Sequence, residues 1–209
     1  MVQHKKHLIV IVGPTAIGKT ALSIQLAKHF DCEIVSADSR QFFKELSIGT
    51  AKPDDEEMEG IPHHFIGHIS IQDEYNVGKF ENDAIKKIET LFSKKNIAIL
   101  VGGSGLYVDA VCKGIDDIPK DDSIRAQLNK ELEEKGIETL QEELKSLDPE
   151  HYELMNIQNP QRLIRALEVC RASGKTYTSF RKNTVKKRPF EIHKIGLITE
   201  RAKMYENIN

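Results

Sequence analysis

Gly13-Pro14-Thr15-Ala16-Ile17-Gly18-Lys19-Thr20 follows directly on the apolar run Leu8-Ile9-Val10-Ile11-Val12 and leads into Ala21-Leu22-Ser23-Ile24-Gln25-Leu26-Ala27. The octapeptide is a complete G-x-x-x-x-G-K-[ST] phosphate-binding loop, and such a loop works only between a buried strand and a helix N-terminus. Both flanks are present: β-branched residues before it and helical periodicity after it. Gly13 and Gly18 let the backbone curl so that successive N–H groups point inward, and the helix dipole adds positive potential. Pro14, Thr15, Ala16 and Ile17 complete the cradle, Lys19 adds a full charge, and the Thr20 hydroxyl is placed to ligate Mg²⁺. The chain is thus expected to hold a diphosphate or triphosphate. The same cradle serves ATPases, GTPases, kinases and enzymes with a diphosphate leaving group, so the reaction has to be read elsewhere.

Working outward, Cys32–Ala37 reads as a second strand ending at Asp38-Ser39, and His64–Ile69 as a third. Asp54–Glu59 reads as an acidic mobile or short helical stretch. Phe80–Phe92 has helical spacing, and Asn96–Val101 is an apolar strand bounded by Gly102-Gly103. This alternation predicts an α/β fold, a P-loop NTPase-like doubly wound parallel sheet with its site at the carboxyl ends of the strands. From 116 onward the pattern becomes helical. One helix starts after Asp121-Asp122-Ser123, one covers Ile137–Leu147, and one follows Asn159-Pro160 and stops at Gly174. His193–Ile198 returns to strand character. The expected organisation is an α/β core over 1–115 and 190–209, carrying a helical insertion domain over 116–189.

Composition restricts the partners. The 209 residues contain 39% hydrophobic and 30% charged residues with net charge −2, so the molecule as a whole carries no nucleic-acid signal. Charge is uneven, however: 116–150 holds twelve acidic against five basic residues, and 175–194 holds seven basic and one acidic. The basic block is either a solvated face or a contact for an anionic polymer, with Tyr177, Phe180 and Phe190 interleaved. Cys32, Cys112 and Cys170 lack metal spacing and suggest a reducing cytosol. The Leu8 run is too short to span a membrane and feeds the loop rather than a cleavage site, so a soluble, cytoplasmic protein is expected.

Three strand ends converge: the phosphate loop, Asp38-Ser39-Arg40-Gln41 and Gly102-Gly103-Ser104-Gly105-Leu106-Tyr107. A carboxylate, a hydroxyl and a phosphate cradle in one crevice suit an enzyme better than a passive binding module. Taken alone, Asp38 fits a helix N-cap or the ligand of a Mg²⁺-bound water as well as it fits a base. Ser104 fits a cap equally well.

With Ile48–Pro53 and Asn159-Pro160-Gln161-Arg162-Leu163-Ile164-Arg165-Ala166-Leu167-Glu168-Val169, five ordered motifs cover essentially the whole chain. In them the chain resembles the tRNA dimethylallyltransferases, or tRNA isopentenyltransferases. The family usually has Thr at the position of Ser104, a change that keeps the hydroxyl, and its members continue well past the position of Asn209. The resemblance therefore suggests a form lacking the C-terminal part, or a short paralogue. It implies transfer of a dimethylallyl group from dimethylallyl diphosphate to N6 of the adenine next to the tRNA anticodon, with Mg²⁺ and release of diphosphate. It further implies Asp38 as the base, with Ser104, Lys19 and Arg125 as the other catalytic residues and Arg201 joining the loop around the diphosphate. The anticodon stem-loop would meet Asp38, Ser39, Arg40, Gln41, Ser104, Arg125 and the segment Gln161, Arg162, Leu163, Ile164, Arg165, with the enzyme acting as a monomer. Seen from the residues alone, Leu163, Ile164 and Leu167 are better core candidates.

Competing expectations are an adenylate isopentenyltransferase that prenylates a free adenine nucleotide, a small-molecule kinase, and a non-catalytic RNA- or nucleotide-binding remnant. The kinase leaves the Gly-Gly-Ser-Gly motif and the insertion without a role. A GTPase lacks its Asn-Lys-x-Asp guanine-reading segment here.

Overall fold

The computed structural model describes residues 5–182, 184–200 and 202. The chain divides into two compact units, one running to Ile115 and resuming at Val185, the other spanning Asp116–Thr184. The return to the first unit comes at 185 rather than 190, because Lys186 and Arg188 bond to Glu81 inside that unit.

In the first unit, β1 (His7–Val12), β2 (Ile34–Ser36), β3 (His63–His64), β4 (Ile97–Gly102) and β5 (Glu191–Gly196) form one sheet in the order β3-β2-β4-β1-β5. Every pairing is parallel. Alternate residues of β1 and β4 serve opposite faces, as a two-residue side-chain period requires. Leu8, Val10, Ala98 and Leu100 pack with Phe80, Ile88 and Val111 of α2 (Val77–Lys94) and α3 (Gly105–Lys113). Ile11, Ile99 and Val101 pack with Ile24 and Ala27 of α1 (Lys19–Phe30). Burial on both faces is what made these strands read as continuous apolar runs.

The expected third strand, His64–Ile69, is not formed. Only His63–His64 pair with β2, because Phe65 (φ 66°) and Gly67 (φ 55°) turn the backbone out of extended geometry. A lone bridge from Phe43 to Ile69 resumes the parallel course. β2 is likewise shorter than expected, and β5 runs Glu191–Gly196 rather than to Ile198. Asp54–Glu59 forms turns, and α3 was not foreseen.

The second unit consists of α4 (Asp122–Lys135), α5 (Ile137–Leu147), α6 (Pro149–Leu154), α7 (Pro160–Ser173) and the single turn α8 (Tyr177–Phe180). Leu128, Leu140, Leu144, Leu163, Ile164 and Leu167 form its core. Asp121, Asp148 and Asn159 cap α4, α6 and α7 with their side chains. Arg171 bonds Glu131 of α4 through two nitrogens at 2.8 Å and Glu143 of α5 at 2.8 and 2.6 Å, fastening both helices to α7. Among the described residues, no helix is long and apolar enough to cross a membrane.

Candidate active site

The order β3-β2-β4-β1-β5 sends the chain from β1 across β4 to β2, so the loops after β1 and β4 lie side by side at a switch point of the sheet. Register sets Val12 opposite Gly102 and Ser36 opposite Val101, so all three strand ends finish level. The close approach there requires glycine. A methyl group added at Gly102 would lie 2.4 Å from the Ala37 carbonyl oxygen.

The phosphate loop has the backbone its sequence demands. Ala16 (φ 62°) and Gly18 (φ 94°) are left-handed, turning the chain into a concave run that delivers Lys19 to the first position of α1. The first turn of α1 holds no acidic residue and Gly18 offers no capping side chain, so the positive end of the dipole remains for a ligand. The Lys19 ammonium is half-buried and donates to the Pro14 carbonyl at 2.7 Å. Burial pulls its pKa below the ordinary value, and the Asp38 carboxylate works in the opposite direction.

Asp38 and Lys19 both flank Gly103. A methyl group there would stand 3.6 Å from Asp38 Oδ2, 3.9 Å from Lys19 Nζ and 4.0 Å from the Gly13 carbonyl oxygen. Asp38 Oδ1 accepts from the Arg40 N–H at 3.1 Å, fixing the carboxylate in a tight turn at the end of β2, which leaves Oδ2 on the Gly103 side. Asp38 caps none of the helices described, so the capping alternative lapses.

Ser104 occupies the N-cap position of α3, yet its hydroxyl makes no cap bond. Its Oγ instead accepts from the Ser39 N–H at 3.1 Å and lies 3.1 Å from Ser39 Oγ. This pair of hydroxyls fastens the strand end carrying Asp38 to the loop after β4. Arg40 is exposed. Gln41 is spent internally: its Oε1 accepts from Ser36 Oγ at 3.2 Å, and its Nε2 donates to the carbonyls of Thr50 (3.3 Å) and Ala51 (2.8 Å).

Lys19, Thr20, Asp38 and Gln41 line a cleft of about 600 Å³, whereas Ser39 and Ser104 stand behind its lining. Its far wall was not foreseen as such: Thr50–Pro53, Glu57 and Glu59 complete it, with His63. The signal available was Ile48–Pro53, a motif to which no role had been given. Lys52 shows how the wall is held, its ammonium donating to the carbonyls of Phe43 (3.0 Å) and Lys44 (3.4 Å).

The remaining expected residues lie in the second unit, apart from Arg201, which is outside the described residues. Gln161 and Arg162 are exposed on the first turn of α7. Leu163 and Ile164 are fully buried in the helical core and present no side-chain surface to an RNA, which corrects their assignment as contact residues. Arg165 is committed as well. Its Nη1 donates to the Pro119 carbonyl and to Glu168 Oε1, both at 2.9 Å, and its Nη2 to the Ile118 carbonyl at 3.2 Å. Glu168, with no exposed surface, also accepts from the Asp121 N–H, and its Oε2 lies 3.6 Å from Arg125 Nη1. Arg125 and Arg165 thus share one buried carboxylate.

Residues 41–209 match the family model for IPP transferase. The chain is 55% identical over 204 residues to the tRNA dimethylallyltransferase of Christiangramia forsetii, covering 97% of this chain and 68% of that protein. It is 54% identical to that of Flavobacterium johnsoniae, over 98% of this chain and 68% of the relative. The chain belongs to the IPP transferase family. Solved structures agree: the full-length tRNA isopentenylpyrophosphate transferase of Bacillus halodurans superposes with TM-score 0.61 at 35% identity, over 98% of this chain and 64% of that one. A eukaryotic dimethylallyltransferase acting on tRNA superposes with TM-score 0.77 at 28% identity, over 97% and 51% respectively. The chain therefore spans about two thirds of the curated relatives and less of these solved chains.

Proposed function

We infer that this chain is a tRNA prenyltransferase. It transfers the dimethylallyl group of dimethylallyl diphosphate to N6 of the adenine next to the anticodon and releases diphosphate. The observation that carries the reading is that Asp38 Oδ2 and Lys19 Nζ both flank Gly103, which sets a proton acceptor near a polyanion cradle. The relatives named above act in this class.

The left-handed loop and the open N-terminus of α1 would bind the diphosphate, with Lys19 over its oxygens. The carbon–oxygen bond to the diphosphate breaks with its electron pair going to oxygen, while the N6 lone pair forms the new carbon–nitrogen bond. The N6 proton then passes to Asp38. The amino group is a poor nucleophile because its lone pair is delocalised, so a carboxylate positioned to take that proton lowers the barrier. Ser104, held by Ser39, orients the strand end that carries the base. Preorganised positive groups around the leaving oxygen supply the larger electrostatic contribution. The cleft offers Thr20, Ser36 and Asp38, oxygen donors without a thiol, a set that suits Mg²⁺. When bound by Thr20, Mg²⁺ would offset charge on the diphosphate. The adenine has to leave its stack to reach the cleft, and exposed Gln161 and Arg162 would contact the anticodon loop.

The test is incubation with Mg²⁺, ATP, labelled dimethylallyl diphosphate and either an unmodified anticodon stem-loop or AMP. Label on the stem-loop is expected. Label on AMP alone would move the acceptor to a free nucleotide. ATP consumption without prenyl transfer would make the chain a kinase.

A further inference from the structure

A second cluster lies at the opposite end of the sheet, where β1 and β5 begin. Parallel register sets His7 beside Glu191 and Ile9 beside His193. Side chains alternate along a strand, so Glu191 and His193 share one face of β5. His7 reaches the same face: its Nδ1 stands 3.0 Å from His193 Nε2 and 3.4 Å from Glu191 Oε2. One donor atom from each residue lies within 4.8 Å of the others, and all three residues are open to solvent in part.

We propose that His7, Glu191 and His193 bind a divalent transition-metal ion of the Zn²⁺ type, with solvent completing its coordination. Two imidazoles and one carboxylate form a three-ligand set suited to Zn²⁺. Tetrahedral bonds of about 2.0–2.1 Å put neighbouring donor atoms about 3.3–3.4 Å apart, close to both separations found here. In the ion-free protein the two facing ring nitrogens can hydrogen-bond only if one of them carries the proton. An ion accepts both lone pairs at once and moves the protons to the outward nitrogens. Mg²⁺ prefers oxygen and does not compete for such a set. The six residues of β1 separate this cluster from the phosphate loop by roughly 20 Å at the usual strand rise, so the two sites load independently.

Lys5 tunes the site. Its ammonium holds Glu191 Oε1 at 2.7 Å, leaving Oε2 for the ion while placing a like charge nearby. A bound ion would tie edge strand β5 to the centre of the sheet through side chains, just after the chain has returned from the helical unit.

The experiment uses chelator-stripped protein titrated with Zn²⁺ against a chromophoric competitor. One equivalent is expected to bind, unaffected by excess Mg²⁺, and to raise the melting temperature. His7→Ala and His193→Ala should each weaken binding at least tenfold, since even an outer partner of a metal ligand is worth on the order of that. Lys5→Ala should tighten it, a gain that a misfolded variant cannot produce. Equal Zn²⁺ affinity in wild type and both histidine variants would overturn the proposal, as would the lack of a bound equivalent in wild type. Neither outcome touches prenyl transfer, because the assay contains neither donor nor tRNA.

Discussion

Replacing Glu81 with Gln should destabilise the first unit by about 2–3 kcal/mol. Glu81, on α2, is 4% exposed and gathers three donors: the Ile115 N–H at 3.2 Å, Lys186 Nζ at 3.0 Å and Arg188 Nη2 at 2.9 Å. Removing one partner of a buried ion pair costs about 3–5 kcal/mol, because the other charge stays behind. Two features reduce that figure here. Lys186 is half-exposed and adds little. Arg188 retains the carbonyls of Val111 (2.8 Å) and Ala110 (2.7 Å), so its guanidinium is never fully stranded. For a chain of this size each kcal/mol moves the melting temperature by about 2–4 °C, so the variant should melt roughly 5–10 °C early at neutral pH. Acid should erase the difference. Burial pushes the Glu81 carboxyl up, but the bonds from Arg188 and Lys186 outweigh it and hold its pKa below the ordinary 4.5. Its contribution is therefore fully present above that value and is lost as pH falls through the depressed pKa. Melting followed by circular dichroism at pH 7 and in steps below 4.5 provides the measurement. A shift under about 1 °C at pH 7, or a gap that fails to narrow in acid, would refute the reasoning.

Asp38→Asn keeps the Oδ1 bond to Arg40 but removes the proton acceptor. Single-turnover prenyl transfer should fall about 10²- to 10⁴-fold with the fold intact by circular dichroism, and an unchanged rate would remove Asp38 as the base. Gly102→Ala drives a methyl group into the Ala37 carbonyl and should cost about 1–3 kcal/mol or more, read from a urea midpoint; full stability would mean the strand ends are not so close. Gln161→Ala with Arg162→Ala should weaken anticodon stem-loop binding at fixed salt and spare dimethylallyl diphosphate binding, both measured by calorimetry. Parallel loss of both affinities would indicate a damaged fold instead.

What could be read beforehand depended on how local the governing physics was. The β1–loop–α1 unit was plain because its burial, its turn and its anion cradle occupy consecutive residues. α5 was legible from end to end, its apolar residues repeating at helical spacing between Gly136 and Asp148. β3 failed because nothing in Phe65 announces a left-handed backbone. α3 was hidden behind Gly-Gly-Ser-Gly, which reads as a turn although its last glycine starts the helix. At the strand ends, Asp38, Lys19 and Ser104 could be picked out by their placement, but the bond joining Ser104 to Ser39 spans 65 positions and leaves no mark on spacing. Arg165 is similar. Its Glu168 partner is visible at i+3, whereas the carbonyls at 118 and 119 are brought to it only by tertiary structure. For Leu163 and Ile164 the apolar stripe gave the better guide, because a side chain without exposed surface cannot serve a partner.

Gln41 has a consequence for how the cleft can move. One amide joins Ser36, at the end of β2, to the carbonyls of Thr50 and Ala51 on the opposite wall. The wall is coupled to the turn carrying Asp38: swinging it outward strips acceptors from the same side chain that bonds the end of β2. Ala51 already stands at φ 48°, a conformation costly for a residue with a Cβ and kept only where its surroundings enforce it. On the proposed reading, with Asp38 as the base, entry of a bulky acceptor and alignment of that base would be mechanically one event. An occupant that held the wall open would loosen that turn, so selection against wrong acceptors would arise from a linkage rather than from a contact.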